Sequence, residues 1–121
     1  MTDSSLATAF DINATCLSFL QALDVANMWL SAGRARRVLV FSADIASVGL
    51  DWSQPESAAI FGDGAAAVVL GSDEGAILAH GFETYSEGKE ACVLAAGGTR
   101  SNPARGTAPG DALFQIAADA T

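Results

Sequence analysis

Apolar and polar positions alternate along this chain in blocks that predict its elements. Thr8 to Ile12 reads as a short strand. Residues 16–32 then carry leucine, alanine and aromatic side chains on nearly every side, interrupted only by Ser18, Gln21, Asp24, Asn27 and Ser31. Those five recur every three or four positions, as one face of a helix requires, so the rest of the circumference is expected to be buried. Gly33 supplies a residue that tolerates a left-handed stop, and Arg34, Arg36 and Arg37 mark the turn beyond it.

Val38 to Phe41 is a continuous apolar run with two valines, the pattern of a strand covered on both faces. A strand, a buried helix and a second buried strand predict a βαβ unit crossing over right-handedly into a parallel sheet. Ser47 to Ser57, with its Gly, Asp, Trp, Ser and Pro, reads as a loop. Ala65 to Leu70, introduced by Gly62, Asp63 and Gly64, reads as another buried strand. Ala76 to Ala79 reads as a fourth, after the turn from Gly71 to Gly75. Beyond Glu83 the pattern weakens into a polar, glycine-rich stretch around Gly97 to Pro103 and Gly106 to Gly110, read as one long loop. Long loops are uncommon in compact domains unless they are functional or belong to something larger. The chain stops in mid-pattern on Asp119, Ala120 and Thr121, which predicts a fragment.

Composition narrows the function classes. With 121 residues, 50% hydrophobic and 17% charged, the chain has the make-up of a soluble globular protein with one modest core. Fourteen acids against six bases give a formal charge of -8, which argues against nucleic acid, because phosphate binding needs clustered Lys and Arg. The one basic cluster, Arg34, Arg36 and Arg37, has two readings: a solvated cap, since cations are favoured at helix C-termini, or a docking surface. No apolar run approaches the roughly 18 residues of a membrane span. Met1 is followed by polar Thr2, Asp3, Ser4 and Ser5 rather than a signal segment, so the expected setting is cytoplasmic, away from membranes. The two cysteines are then expected as thiols rather than as a Cys16–Cys92 disulfide. No metal site or cofactor is expected.

Cys16 stands where an extended segment passes into the first turn of the apolar helix. Unpaired N–H groups and the macrodipole at a helix N-terminus stabilise a thiolate. Cysteine suits acyl transfer because it attacks thioesters readily and leaves again readily. The competing reading is an inert core thiol, the commoner fate of a free cysteine without a visible histidine partner.

Three motifs bear on that choice. Phe10-Asp11-Ile12-Asn13-Ala14-Thr15-Cys16, then Arg37-Val38-Leu39-Val40-Phe41-Ser42-Ala43-Asp44, then Ile60-Phe61-Gly62-Asp63-Gly64 followed by Ala65 to Leu70, together resemble the β-ketoacyl-ACP synthase III family of the thiolase superfamily. The resemblance covers about the first eighty residues, and the Gly97 to Pro103 segment also looks like a loop of this family. It implies an α/β class: a partial thiolase-like fold with a mixed sheet and a buried, nucleophile-bearing helix. Residues of about 8–70 would be the end of the N-terminal half, and about 71–121 the start of the C-terminal half. It also implies that Cys16 takes an acyl group from acyl-CoA as a thioester before decarboxylative or Claisen condensation. Acyl-CoA as substrate, an acyl carrier protein and a second copy of the chain are the implied partners. A His and an Asn from the second half support decarboxylation in such enzymes, and backbone N–H groups hold the thioester oxygen.

The sequence departs from the family pattern in places. Its single histidine, His80, lies well before the region of the family's catalytic histidine and reads as ordinary structure; Asn13, Asn27 and Asn102 sit at other places than the catalytic asparagine. These residues alone are therefore expected not to form a complete site. Where some relatives carry a CoA-contacting arginine, this chain has Trp52-Ser53-Gln54-Pro55-Glu56, so that Trp52 either stacks on an adenine or packs on its own protein. Gly62 and Gly64 are read as allowing a tight entry into the following strand, and Asp63 as a hydrogen-bond acceptor for local N–H groups. The alternative function is a non-catalytic thiolase-like scaffold or partner subunit, against which Cys16 argues.

Overall fold

A computed structural model describes residues 7–72 and 77–116. The chain packs as two compact units, Met1–Ser42 with Ala65–Ala79, and Ala43–Gly64 with His80–Thr121. Its elements mix helix and strand: α1 (Ser18–Ser31), β1 (Arg37–Asp44), α2 (Pro55–Ala58), β2 (Gly64–Gly71), β3 (Cys92–Val93) and β4 (Gln115–Ile116). β1 and β2 form one two-stranded sheet and β3 and β4 another. No helix among the described residues is long and apolar enough to cross a membrane.

In the first unit, the predicted helix begins with a 3-10 turn over Thr15–Leu17 and continues as α1. Its end follows from Gly33. That residue takes φ +66, and the Gly33 N–H donates to the Leu30 carbonyl at 3.0 Å while the Arg34 N–H donates to the Trp29 carbonyl at 2.9 Å. This pair of bonds is the Schellman closure, which satisfies carbonyls that the last turn would leave without partners. The Arg34 guanidinium then lies 5.3 Å from the centre of the Trp29 ring, at cation–π range. Of the basic cluster, Arg34 is thus laid on the helix it follows, Arg36 is exposed in the connection, and Arg37 is already the first residue of β1.

The expected burial of this helix is not met. Only Ala26 of α1 is buried, and Leu20 and Met28 are each 52% exposed. A helix apolar on most sides needs cover on most sides, and the described residues bring a single two-stranded sheet to this unit. The same shortage corrects the strands. β1 buries Val40 but leaves Leu39 and Phe41 exposed, so it is covered on one face rather than two, and β2 is exposed along nearly its whole length. Thr8 to Ile12 forms no strand: β1 takes β2 as its ladder partner, and an extended segment without a neighbour cannot pair its backbone groups. Phe10 packs its ring 5.4 Å from Trp29 instead. Without that first strand the predicted βαβ crossover is not formed. Ile77 to Ala79 is likewise not a strand, and Leu78 stands exposed. Asp73 to Ala76, which include most of the predicted turn and the first residue of that strand, lie outside the described residues.

The second unit is built from segments read as loops. Residues of the predicted loop from Ser47 to Ser57 form a 3-10 turn over Ala46–Gly49, a turn at Asp51 and the short α2, which starts on Pro55. Proline suits that first position because its missing N–H would find no intrahelical acceptor there. Leu50, Ser57 and Ala58 from this stretch are buried. Leu50 bridges Phe114, whose N–H donates to the Gly49 carbonyl at 2.7 Å and whose ring meets Phe61 edge-on at 4.9 Å. The glycine-rich stretch is closed at its base. β3 pairs antiparallel with β4, Cys92 opposite Ile116 and Val93 opposite Gln115, and the Ala96 N–H donates to the Asp111 carbonyl at 2.8 Å. Within it, the Asn102 side chain accepts from the Ala104 N–H at 2.9 Å and caps the turn Pro103–Arg105.

The helix stop yields a direct test. An added Cβ at Gly33 meets nothing within 4 Å, so substitution acts through the backbone alone. Gly33→Ala should lower unfolding stability by about 1 kcal/mol, the cost of holding an L-residue left-handed, read as a lower urea midpoint at unchanged slope. Gly33→Asn should lose less, because asparagine tolerates this conformation better.

Candidate functional site around Cys16

Cys16 is the second residue of the 3-10 turn Thr15–Leu17, which passes directly into α1. Its thiol is exposed, and both Cys16 and Cys92 are free rather than joined in a disulfide. The residue before it is unusual. Thr15 adopts φ +51, a left-handed conformation that is an outlier for a β-branched side chain.

The segment around Cys16 holds that conformation with its own side chains. Asn13 accepts the Thr15 N–H on its Oδ1 at 3.0 Å, and the Thr15 hydroxyl donates to the Ala14 carbonyl at 2.8 Å. Ser18 spans the turn: its hydroxyl donates to the Thr15 carbonyl at 2.6 Å, and its oxygen accepts the Ala14 N–H at 2.9 Å. The Leu17 N–H closes on the Ala14 carbonyl at 3.1 Å. The N–H of Cys16 belongs to the first turn, where helix geometry supplies no intrahelical acceptor. An N–H adjoining a nucleophilic sulfur is a donor that can hold a developing oxyanion.

Asp63, between the two glycines of the Gly62-Asp63-Gly64 turn, is an acceptor as expected, though its partner is 16 residues away rather than local. Its carboxylate takes the Ser47 N–H at 2.8 Å and the Ser47 hydroxyl at 2.7 Å, tying the turn that follows β1 to the entry of β2. Those two bonds, the backbone one first, hold the Asp63 carboxyl below its ordinary value. Asp51 makes a similar anchor, accepting from the Ser53 hydroxyl at 2.6 Å, the Ser53 N–H at 3.0 Å and the Gln54 amide at 3.0 Å. Its carboxyl is likewise held low, chiefly by the Ser53 hydroxyl. Trp52 donates its indole N–H to the Ser47 carbonyl at 3.3 Å with its ring largely exposed. Gly62 and Gly64 have neither a positive φ nor any atom within 4 Å of an added Cβ, so nothing among the described residues demands glycine at either position. His80 lies edge-on to Phe82, ring centres 6.2 Å apart.

The motif order is matched by the comparisons. The family described as 3-oxoacyl-(acyl-carrier-protein) synthase III matches residues 10–88, a span that includes Cys16, β1 and the Gly62-Asp63-Gly64 turn. The chain belongs to this family. Among curated relatives, it is similar to the beta-ketoacyl-(acyl-carrier-protein) synthase III of Bordetella petrii, 39% identical over 110 residues, which cover 89% of this chain and 32% of that relative. The enzyme of the same name from Synechococcus sp. WH7803 is 47% identical over 89 residues, 73% of this chain and 26% of that protein. That from Aquifex aeolicus is 43% identical over 82 residues, 66% and 26% respectively. The chain spans about a third or less of the length of these relatives.

For a synthase III family member, the sequence pointed to Cys16 but not to the side chains that fix its turn. Ser18 was visible only as part of a polar helix stripe. The local signal was the pair Asn13 and Thr15, an Asx side chain two residues before the N–H it captures, and Ser18 four residues after the amide that it accepts. Ser47 had no such signal, because its bond to Asp63 spans 16 residues.

Asp63 makes stability pH-dependent with a definite sign. Its folded pKa lies below the unfolded one, so its contribution is fully present above the unfolded value of about 3.9 and is lost as pH falls through the lower folded value. Asp63→Asn should therefore destabilise the protein at pH 7, with the difference from wild type shrinking below about pH 4. Urea unfolding of both proteins at pH 7 and at stepwise lower pH measures it.

Proposed function

We propose that this chain is the nucleophile-bearing segment of a synthase III condensing enzyme, an acyltransferase of fatty acid biosynthesis, with Cys16 as the acyl carrier. The carrying observation is the family match over residues 10–88, in which the cysteine motif, the β1 motif and the Gly-Asp-Gly motif occur in order. The exposure of Cys16 on a first helical turn supports the reading, since a thiol must be reached by its substrate and benefits from nearby N–H groups. On this reading residues of about 8–70 close the N-terminal half of a thiolase-like fold, and about 71–121 open the second half. The protein would act in the cytoplasm as a homodimer, with no dedicated cofactor.

The first step is a thioester exchange. The Cys16 sulfur attacks the carbonyl carbon of acyl-CoA, the new S–C bond forms, the bond to the CoA sulfur breaks, and the proton of the Cys16 thiol ends on the released CoA. In the second step an extender thioester on an acyl carrier protein or CoA loses CO2. The carbanion so formed attacks the acyl carbon, forming a C–C bond and returning Cys16 as a thiolate that takes up a proton. The residues needed for decarboxylation are not assigned to this segment, which is consequently not expected to condense by itself. Arg34, Arg36 and Arg37 follow the far end of α1, whose 14 residues put about 21 Å between its ends, and they are the chain's one basic cluster that could meet an acidic carrier.

The test uses the full-length protein carrying this segment. Incubation with acyl-CoAs from acetyl to lauroyl should give an intact-mass adduct equal to the acyl group for at least one of them, absent in Cys16→Ser. An adduct that persists in Cys16→Ser, or none with any acyl-CoA, would overturn the assignment.

A further inference from the structure

We propose that Thr15 and Ser18 are positioning residues for Cys16, setting the direction in which its thiol meets the acyl carbonyl; this rests on the nucleophile assignment above. The starting observation is the left-handed Thr15, at φ +51, directly before the cysteine. A β-branched residue persists in such a conformation only when its surroundings over-determine it, and such residues cluster where geometry is part of a mechanism.

Here the surroundings are the segment itself. Thr15 and Cys16 are exposed, so packing does not impose the turn. Hydrogen bonds do. The Ser18 hydroxyl engages the amide of Ala14 and the carbonyl of Thr15 together, at 2.9 and 2.6 Å, which restrains the 13–14 and 15–16 peptide groups, while the Asn13 side chain and the Thr15 hydroxyl hold the 14–15 peptide between them. The Thr15 carbonyl carbon is bonded to the Cys16 nitrogen, so the Ser18 bond also fixes the plane carrying the Cys16 N–H. The Thr15 hydroxyl and the Asn13 side chain add one bond each. The direction of the Cys16 Cα–Cβ bond that carries the sulfur and the orientation of the adjoining N–H are thereby set together, and thioester attack draws on both: the sulfur toward the carbonyl carbon, the N–H toward the carbonyl oxygen.

A helix-capping role alone would affect stability, whereas positioning affects a geometrically demanding reaction more than an undemanding one. The test therefore compares two reactions of Cys16 in the full-length protein: acylation by the acetyl-to-lauroyl CoA series and alkylation by iodoacetamide. Ser18→Ala removes both Ser18 bonds. Thr15→Gly keeps the backbone conformation accessible without strain and removes the hydroxyl, so it remains informative if Ser18→Ala fails to fold. Both should lose about ten- to a hundredfold in acylation rate, the scale of a small misplacement of reacting atoms, with alkylation changed by less than about twofold. Ser18→Thr, which keeps the hydroxyl, should restore acylation.

Acylation at the wild-type rate in Thr15→Gly and in folded Ser18→Ala would overturn the positioning role and leave the nucleophile assignment standing. So would equal losses in acylation and alkylation. A wild-type protein that forms no Cys16 adduct at all would overturn both.

Discussion

The pairing of β1 with β2 is the constraint on which the first unit depends. β1 follows α1 after a short connection that begins at the Gly33 stop. β2 gives β1 its ladder partner, and the Asp63 carboxylate closes the connection between them by holding Ser47. Charge-assisted bonds to a backbone N–H and a hydroxyl suit this task because they fix orientation as well as separation. The Gly62-Asp63-Gly64 turn thus works through its acid, while its two glycines have room for side chains.

Cys16 is organised on a smaller scale. Its turn is held by side chains within residues 13–18, and none of those bonds needs a distant element. A turn held by local bonds does not depend on how the surrounding apolar surface is covered. That surface is large in this chain. Leu20, Met28, Leu39, Phe41 and Val69 stand more than half exposed, and the segment spans about a third or less of its relatives' length.

Element type was readable wherever one local rule acted alone. The three- and four-residue polar stripe from Ser18 to Ser31 marked α1, Gly33 marked its stop, and the valine-rich runs marked β1 and β2, each to within about three residues. Burial was not readable, because an apolar run states that cover is needed without stating that a neighbour supplies it. That is why α1, β1 and β2 match in position and differ in exposure, and why Thr8 to Ile12 remains without a strand partner. The segments read as loops hid the opposite error. Leu50 and Phe114 meet across more than sixty positions of sequence, a contact no local pattern announces.

The sequence by itself determined where Cys16 stands, on the first turn of an apolar helix inside a motif set that fixes the family, since helix periodicity, glycine stops and motif order are all written along the chain. Only the tertiary structure decided which faces are covered, that Asp63 reaches Ser47, and that Thr15 is held left-handed beside the thiol. Those outcomes depend on through-space partners and on the backbone angle at one residue, and neither has a one-dimensional signature.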